Sequence, residues 1–268
     1  SDEEHAINVL LCSLNGMYFL ATYPQLYKVA DCRTIAMEYC ERGDVFNFFA
    51  EKEDEDFEQR YYAAILDLLI KSLKALQIVH EAGYIHRDIK AENLLLNNKG
   101  ELKIADFGYT MQHTDVPEVF CGTSPYAAPE CYELEFTTAT DVYALGMTFF
   151  YLLQIDYPRK NMKEKIEKIL LCEEKSQIQN NISDYFTGKY KKTIRKALLY
   201  LENDKYNLTE GSPEWIDNRL RYILYFMVYP SPRSRPQITY ILRHLVSIQE
   251  NSMNKHVSPE ELASYYMQ

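Results

Sequence analysis

The chain has 268 residues, a hydrophobic fraction of 47% and a formal net charge of -10, long enough and apolar enough for one large domain with a sizeable core. Its acidic balance argues against a nucleic-acid surface, which calls for a basic stripe. No run of about eighteen apolar residues, and no charged start leading into an apolar core, marks a membrane span or a signal peptide. Six cysteines, at 12, 32, 40, 121, 131 and 172, lack CxxC spacing, so they suggest neither a zinc site nor a disulfide framework and fit a reducing, cytoplasmic setting.

In chain order, residues 1–14 carry acids in front and place Ile7, Leu10, Leu11 and Leu14 on one helical face. Residues 17–29 and 32–39 read as two strands joined at Ala30-Asp31. Asp44 is a good N-cap for a short helix, VFNFFAEK, and the acidic run from Glu51 to Glu58 reads as a solvated loop. From Phe57 to Ala82 a long amphipathic helix turns Tyr61, Ile65, Leu68, Leu69, Leu73, Leu76 and Val79 inward, and Gly83 ends it. His80, near that end, reads as a helix-terminal residue rather than a base.

The next stretch, YIHRDIKAENLLLNNKGELKIADFG from Tyr84 to Gly108, is where the chemistry gathers. Asp88 opens a polar segment between apolar pieces, Lys90 brings a positive charge to the same loop, and the Asn97-Asn98-Lys99-Gly100 turn predicts a hairpin. Asn93 and Asp106 are hard oxygen ligands suited to magnesium. These are the groups phosphoryl transfer uses, since it works by alignment and by cations that neutralise developing charge. Beyond it, Thr138 to Gln154 reads as an apolar helix containing Asp141. A lysine-rich and then tyrosine-rich stretch follows from Pro158 to Gly211, with helices at KEKIEKILL and IRKALLYL. Helices from Pro213 to Met227 and Ile238 to Ile248 complete a helical lobe, and the tail has an amphipathic ending, SPEELASYYMQ.

Five segments stand in a fixed order: HRDIKAEN at 86–93, DFG at 106–108, CGTSPYAAPE at 121–130, DVYALG at 141–146 and RP at 235–236. Together they resemble the eukaryotic-type serine/threonine protein kinases. Lys90 and the Gly122-Thr123 pair resemble that branch rather than the tyrosine kinases, and YAAPE resembles the calmodulin-dependent group. The resemblance implies an α+β, bilobal kinase-like fold. Residues 1–39 would form a partial β N-lobe, with the end of the αC helix and two strands. Residues 40–268 would form the hinge and a largely helical C-lobe, with an insertion at about 158–211 and a C-terminal tail.

It also implies the site. Asp88 would orient a serine or threonine hydroxyl and accept its proton, Lys90 would steady the transferred phosphoryl group, and Thr123 would hydrogen-bond both. Asn93 and Asp106 would hold Mg2+. ATP would lie between the hinge and Asp106, among Met37, Glu38, Cys40, Asp44, Glu92 and Leu95. Acidic Asp44 and Glu92 make a protein substrate with basic residues before its target the expected partner, and the insertion at 158–211 is the candidate place for a regulator or substrate to dock. His86 is expected to pack behind the loop, Asp141 to hold the HRD turn, and Glu130 to pair with Arg235. The relatives' phosphothreonine position is Val119 here, so Arg87 is expected either to meet Glu118 or to be held without phosphate, with Thr114 the next candidate phosphosite.

Two features complicate the resemblance. The helix glutamate that partners the ATP-binding lysine falls by register on Ile7, with Glu4 one turn earlier. The glycine-rich loop and that lysine would precede Ser1, which leads us to expect a truncated chain whose parent is larger by about 7 kDa or more. The alternatives are a pseudokinase or scaffold that binds partners without catalysis, a truncated inactive fragment, and a small-molecule kinase with related loops.

Overall fold

The computed structural model describes residues 2–29, 32–50, 57–123, 126–153 and 210–253. The acidic run through residue 56, the stretch at 158–209 and the tail from 254 lie outside the described residues, and with them the expected insertion helices and amphipathic ending.

Helix α1 (Asp2–Asn15) buries Ile7 and Leu11, whereas Leu10 and Leu14 stay 39% and 55% exposed. The expected four-residue face is therefore only half covered, because α1 packs on α3 and β1, which meet one side of it. Strands β1 (Thr22–Val29) and β2 (Cys32–Met37) pair antiparallel, with Val29 opposite Cys32; the expected turn at Ala30-Asp31 lies outside the described residues. The first strand starts at Thr22 rather than 17. Tyr18 and Phe19 turn instead to the strand that ends at Ile104, where the Ile104 N–H donates to the Tyr18 carbonyl at 2.9 Å and Phe19 bridges Ile104.

Asp44 caps α2 (Val45–Ala50): its Oδ1 accepts the Asn47 N–H at 2.9 Å. The central helix α3 (Phe57–Glu81) carries the predicted inner face, with Ile65, Leu68, Leu69, Leu73, Leu76 and Val79 fully buried. Gly83 follows it at φ +87°, a conformation that favours glycine. Three short antiparallel elements come next: β3 (Tyr84–Ile85) pairs with β6 (Met111–Gln112), and β4 (Leu94–Leu96) pairs with β5 (Leu102–Ile104) as the predicted hairpin. Helix α4 (Thr138–Leu152) is buried along almost its whole length, and α5 (Pro213–Met227) and α6 (Ile238–Met253) pack around it and α3. α6 runs five residues past its expected end, with Ser252 buried in the added turn. One core joins Ile7, Phe19, the α3 stripe, the β4–β5 hairpin and helices α4, α5 and α6.

Candidate active site

The HRD turn hangs from α4. Asp141, fully buried, accepts the His86 and Arg87 N–H groups at 2.9 Å each and lies 2.8 Å from His80 Nε2 at the end of α3. Burial alone would raise its carboxyl, but the hydrogen bonds from the His80 side chain and the His86 N–H outweigh it and hold Asp141 below the usual carboxylate range. His80 therefore has a defined partner, which sequence reasoning missed. Arg87 sits at φ +68°, an unfavourable region for a residue with a side chain, and the Asp141 bonds are what fix it there.

His86 is wholly buried against the Phe107 ring, 4.9 Å between centroids. The Asp88 N–H donates to Nδ1 at 3.3 Å while Nε2 faces the Ala105 carbonyl at 3.2 Å, which selects the neutral tautomer protonated on Nε2. Burial pushes its pKa down. It is a packing and hydrogen-bonding residue, as expected.

Asp88 is 3% exposed, and its two oxygens are held separately. Oδ1 accepts the Thr123 hydroxyl at 2.7 Å and Oδ2 accepts Lys90 Nζ at 2.7 Å. Lys90 also reaches Thr123 Oγ1 at 3.1 Å, closing the triangle that the resemblance implied. Burial lowers the Lys90 pKa, but the adjoining Asp88 carboxylate overrides this and raises it, so the ammonium stays charged. Asn93 Nδ2 donates to the Asp88 carbonyl at 2.8 Å and approaches its carboxylate at 3.3 Å.

With its amide nitrogen so engaged, Asn93 keeps its amide oxygen as the atom that would take a metal ion. The Ala105 N–H donates to the Asn93 carbonyl at 2.9 Å and ties this loop to the DFG segment. There Asp106, exposed and at φ +64°, accepts the Gly108 N–H on Oδ1 at 3.3 Å. No cluster of three or more acidic, histidine or cysteine side chains occurs among the described residues. Magnesium does not need one, since it takes one or two protein oxygens and completes its shell with water and phosphate. An amide oxygen and an exposed carboxylate fit that ion.

At the hinge, the Glu38 N–H donates to the Ala21 carbonyl at 2.8 Å and the Cys40 carbonyl accepts the Gly43 N–H at 3.1 Å. Cys40 is buried, and burial chiefly pushes its thiol up to about 11. Met37 is 41% exposed at the end of β2. Leu95 is half-buried in β4 and bridged to Asp44, whose carboxylate also takes Asn47 Nδ2 at 2.6 Å. Glu92 is exposed beside the Tyr126 hydroxyl, at 3.5 Å. Thus Asp88, Lys90, Asn93 and Thr123 form one hydrogen-bonded group, and Asp106 belongs to the adjoining loop. Met37, Glu38, Cys40, Asp44 and Leu95 line the hinge side.

The flanking predictions resolve individually. Arg87 does not pair with Glu118. Its Nε donates to the Tyr109 carbonyl at 2.5 Å and its guanidinium lies 5.2 Å from the Phe136 ring centre. The Glu4 carboxylate comes within 3.9 Å of where a Cβ on Gly108 would stand, while Ile7 is core. Glu4 is thus the acid of α1 that comes near the DFG glycine, whereas the register position itself holds an apolar core residue. Glu130 and Arg235 make the expected buried pair, bidentate at 2.5 and 2.8 Å.

Comparison with known proteins agrees with this geometry. Residues 9–246 match the protein kinase domain family. The chain is 32% identical over 185 residues to an Aurora kinase of Encephalitozoon cuniculi, covering 66% of this chain and 64% of that protein. It is 32% identical to the serine/threonine-protein kinase GIN4 of Saccharomyces cerevisiae, over 65% of this chain and 15% of that protein. It is 37% identical to the serine/threonine-protein kinase cst-1 of Caenorhabditis elegans, over 49% of this chain and 26% of that protein. It thus spans less than two thirds of the length of each of these relatives. On the match over 9–246, the chain belongs to the protein kinase family.

Proposed function

We propose that this protein transfers the γ-phosphoryl group of ATP to a serine or threonine hydroxyl of a protein substrate. The observation that carries the reading is the Asp88–Lys90–Thr123 triangle, with both Asp88 oxygens and the lysine ammonium locked within 3.1 Å of a partner. Held this way, the Asp88 carboxylate orients the incoming hydroxyl and accepts its proton as the phosphoryl group departs. The Lys90 ammonium neutralises charge on that group, and Thr123 keeps both on station.

Asn93 and Asp106 are the residues that would hold magnesium, which supplies a cation between the phosphates. The Glu38 carbonyl and the Cys40 N–H are the main-chain groups offered to an adenine edge, with Met37 and Leu95 beside it. Asp44 and Glu92 favour a substrate with basic residues before the target. The five cysteines among the described residues are free thiols, which supports a cytoplasmic setting.

The test is Asp88→Asn in the full-length natural protein. Transfer to a basic peptide falls by about a hundredfold or more, while affinity for ATP with Mg2+ stays within about threefold, because no adenine contact is touched. Retained turnover overturns the assignment. An unmutated protein that binds ATP without transferring phosphate points to the pseudokinase or scaffold reading.

A further inference from the structure

Lys103 has no part in the site described above, yet it is buried, with 6% of its side chain exposed, in the middle residue of the fully buried strand β5. A lysine in such a place is costly unless its ammonium is met, and here it is met by two distant segments. Its Nζ donates to the carbonyl of Gly16, just beyond α1, at 2.8 Å, and lies 3.4 Å from the Glu38 carboxylate at the hinge. Glu38 in turn accepts the Ala21 N–H at 3.2 Å and Asn97 Nδ2 at 3.3 Å, the latter from the β4–β5 turn. Burial tends to raise the Glu38 carboxyl, but these bonds and the nearby Lys103 hold it below its ordinary value. Lys103 stands three residues before Asp106 on one continuous strand and loop. The ends of a bound nucleotide would meet the hinge after Glu38 and the carboxylate of Asp106.

We propose that Lys103 is a positioning residue: it pins the hinge and the end of α1 to the strand that carries Asp106, and so fixes the span between the adenine and phosphate ends of the nucleotide. The proposal rests on the kinase reading above. Without the ammonium, Glu38 keeps its local bonds to Ala21, so the adenine contacts survive. What is lost is the cross-link between those contacts and the metal loop. A ligand that touches only the hinge is then little affected, and one that spans both ends is weakened.

The experiment compares ATP with Mg2+ against adenosine, by calorimetry on the full-length protein and its Lys103→Met variant. ATP affinity falls by about tenfold, in the range of energetic coupling between linked sites, and adenosine affinity changes by less than about twofold. KM for ATP rises in step while kcat holds, and Lys103→Arg, which keeps the charge, recovers most of the loss. Lys103→Met leaves Glu38 unpaired and lowers stability, so the double variant Lys103→Met with Glu38→Gln is measured as well. It regains stability and keeps the ATP defect. Equal losses for ATP and adenosine, unchanged ATP binding, or full recovery in the double variant each overturn the proposal. If the unmutated protein binds neither ligand, the kinase reading fails and this inference falls with it.

Discussion

Replacing Asp141 by alanine tests whether the HRD turn is held from behind. The side chain is fully buried and accepts two backbone N–H groups at 2.9 Å and faces His80 at 2.8 Å. Alanine leaves the two N–H groups without an acceptor, at about 1–3 kcal/mol each. It also releases Arg87 from φ +68°, which returns about 1–2 kcal/mol of strain. With that strain subtracted and part of the rest recovered as the turn relaxes, the net destabilisation is about 1–3 kcal/mol, against a domain's usual 5–15 kcal/mol. Relaxation also moves Asp88, the next residue, and a displacement of about 1 Å is worth about a hundredfold in rate. The assay pairs urea unfolding with peptide phosphorylation in the full-length protein, well below the variant's melting point. There the folded fraction stays near one, and a hundredfold loss of kcat cannot come from unfolding. A stability change under about 1 kcal/mol, or a kcat within about threefold of the unmutated protein, refutes the reasoning.

Two further perturbations probe other joints. His86 is buried neutral with its pKa lowered, so the unfolded chain binds the extra proton first. Stability is complete above about pH 6.5 and falls below it by up to about 1.4 kcal/mol per pH unit. Denaturant titrations in that window show the slope, and His86→Gln flattens it; an unchanged slope refutes the assignment. At Gly146 in α4, an added Cβ would stand 2.7 Å from Val228 Cγ1 and 2.9 Å from Met227 Cβ. Overpacking outweighs the helix-propensity gain of alanine, so Gly146→Ala destabilises by about 1–2 kcal/mol and lowers Tm by roughly 3–6 °C. A neutral or raised Tm shows that α4 and α5 can part at no cost.

What the sequence disclosed was what lies close along it. Asp88, Lys90 and Asn93 occupy one hexapeptide, and the α3 stripe repeats with the helical period, so both were legible. Thr123 was legible only through resemblance. The pairing of His80 with Asp141 spans 61 positions, and Lys103 reaches Gly16 across 87. Such partners are chosen by packing, and no local pattern announces them. A lysine inside the apolar run LKI was the one available signal for Lys103, and it is also what a solvent-facing strand residue looks like. For Arg87 the sequence left Glu118 and a phosphate-free arrangement both open, and could not name the carbonyl and the aromatic face that also satisfy a guanidinium. The half-covered face of α1 could not be foreseen, since periodicity tells which residues can be buried and not what covers them.

The two aspartates to which the proposal gives the chemistry, Asp88 and Asp106, each adjoin or occupy a strained position, and the way the strain is held explains how they keep their relation. Arg87 and Asp106 are non-glycine residues at φ +68° and +64°, each costing about 1–2 kcal/mol. Glycine would relax either position, but it would also delete a side chain that the site uses. Arg87 donates to the Tyr109 carbonyl, His86 faces the Ala105 carbonyl, and the Ala105 N–H donates to the Asn93 carbonyl. These three links cross between the loops that bear Asp88 and Asp106, and Asp141 anchors the first loop to α4. The loops are thus laced to each other and to the core by groups that touch no nucleotide. The relative placement of Asp88 and Asp106 is therefore built into the fold itself, which is the preorganisation that electrostatic catalysis by the proposed reaction would require.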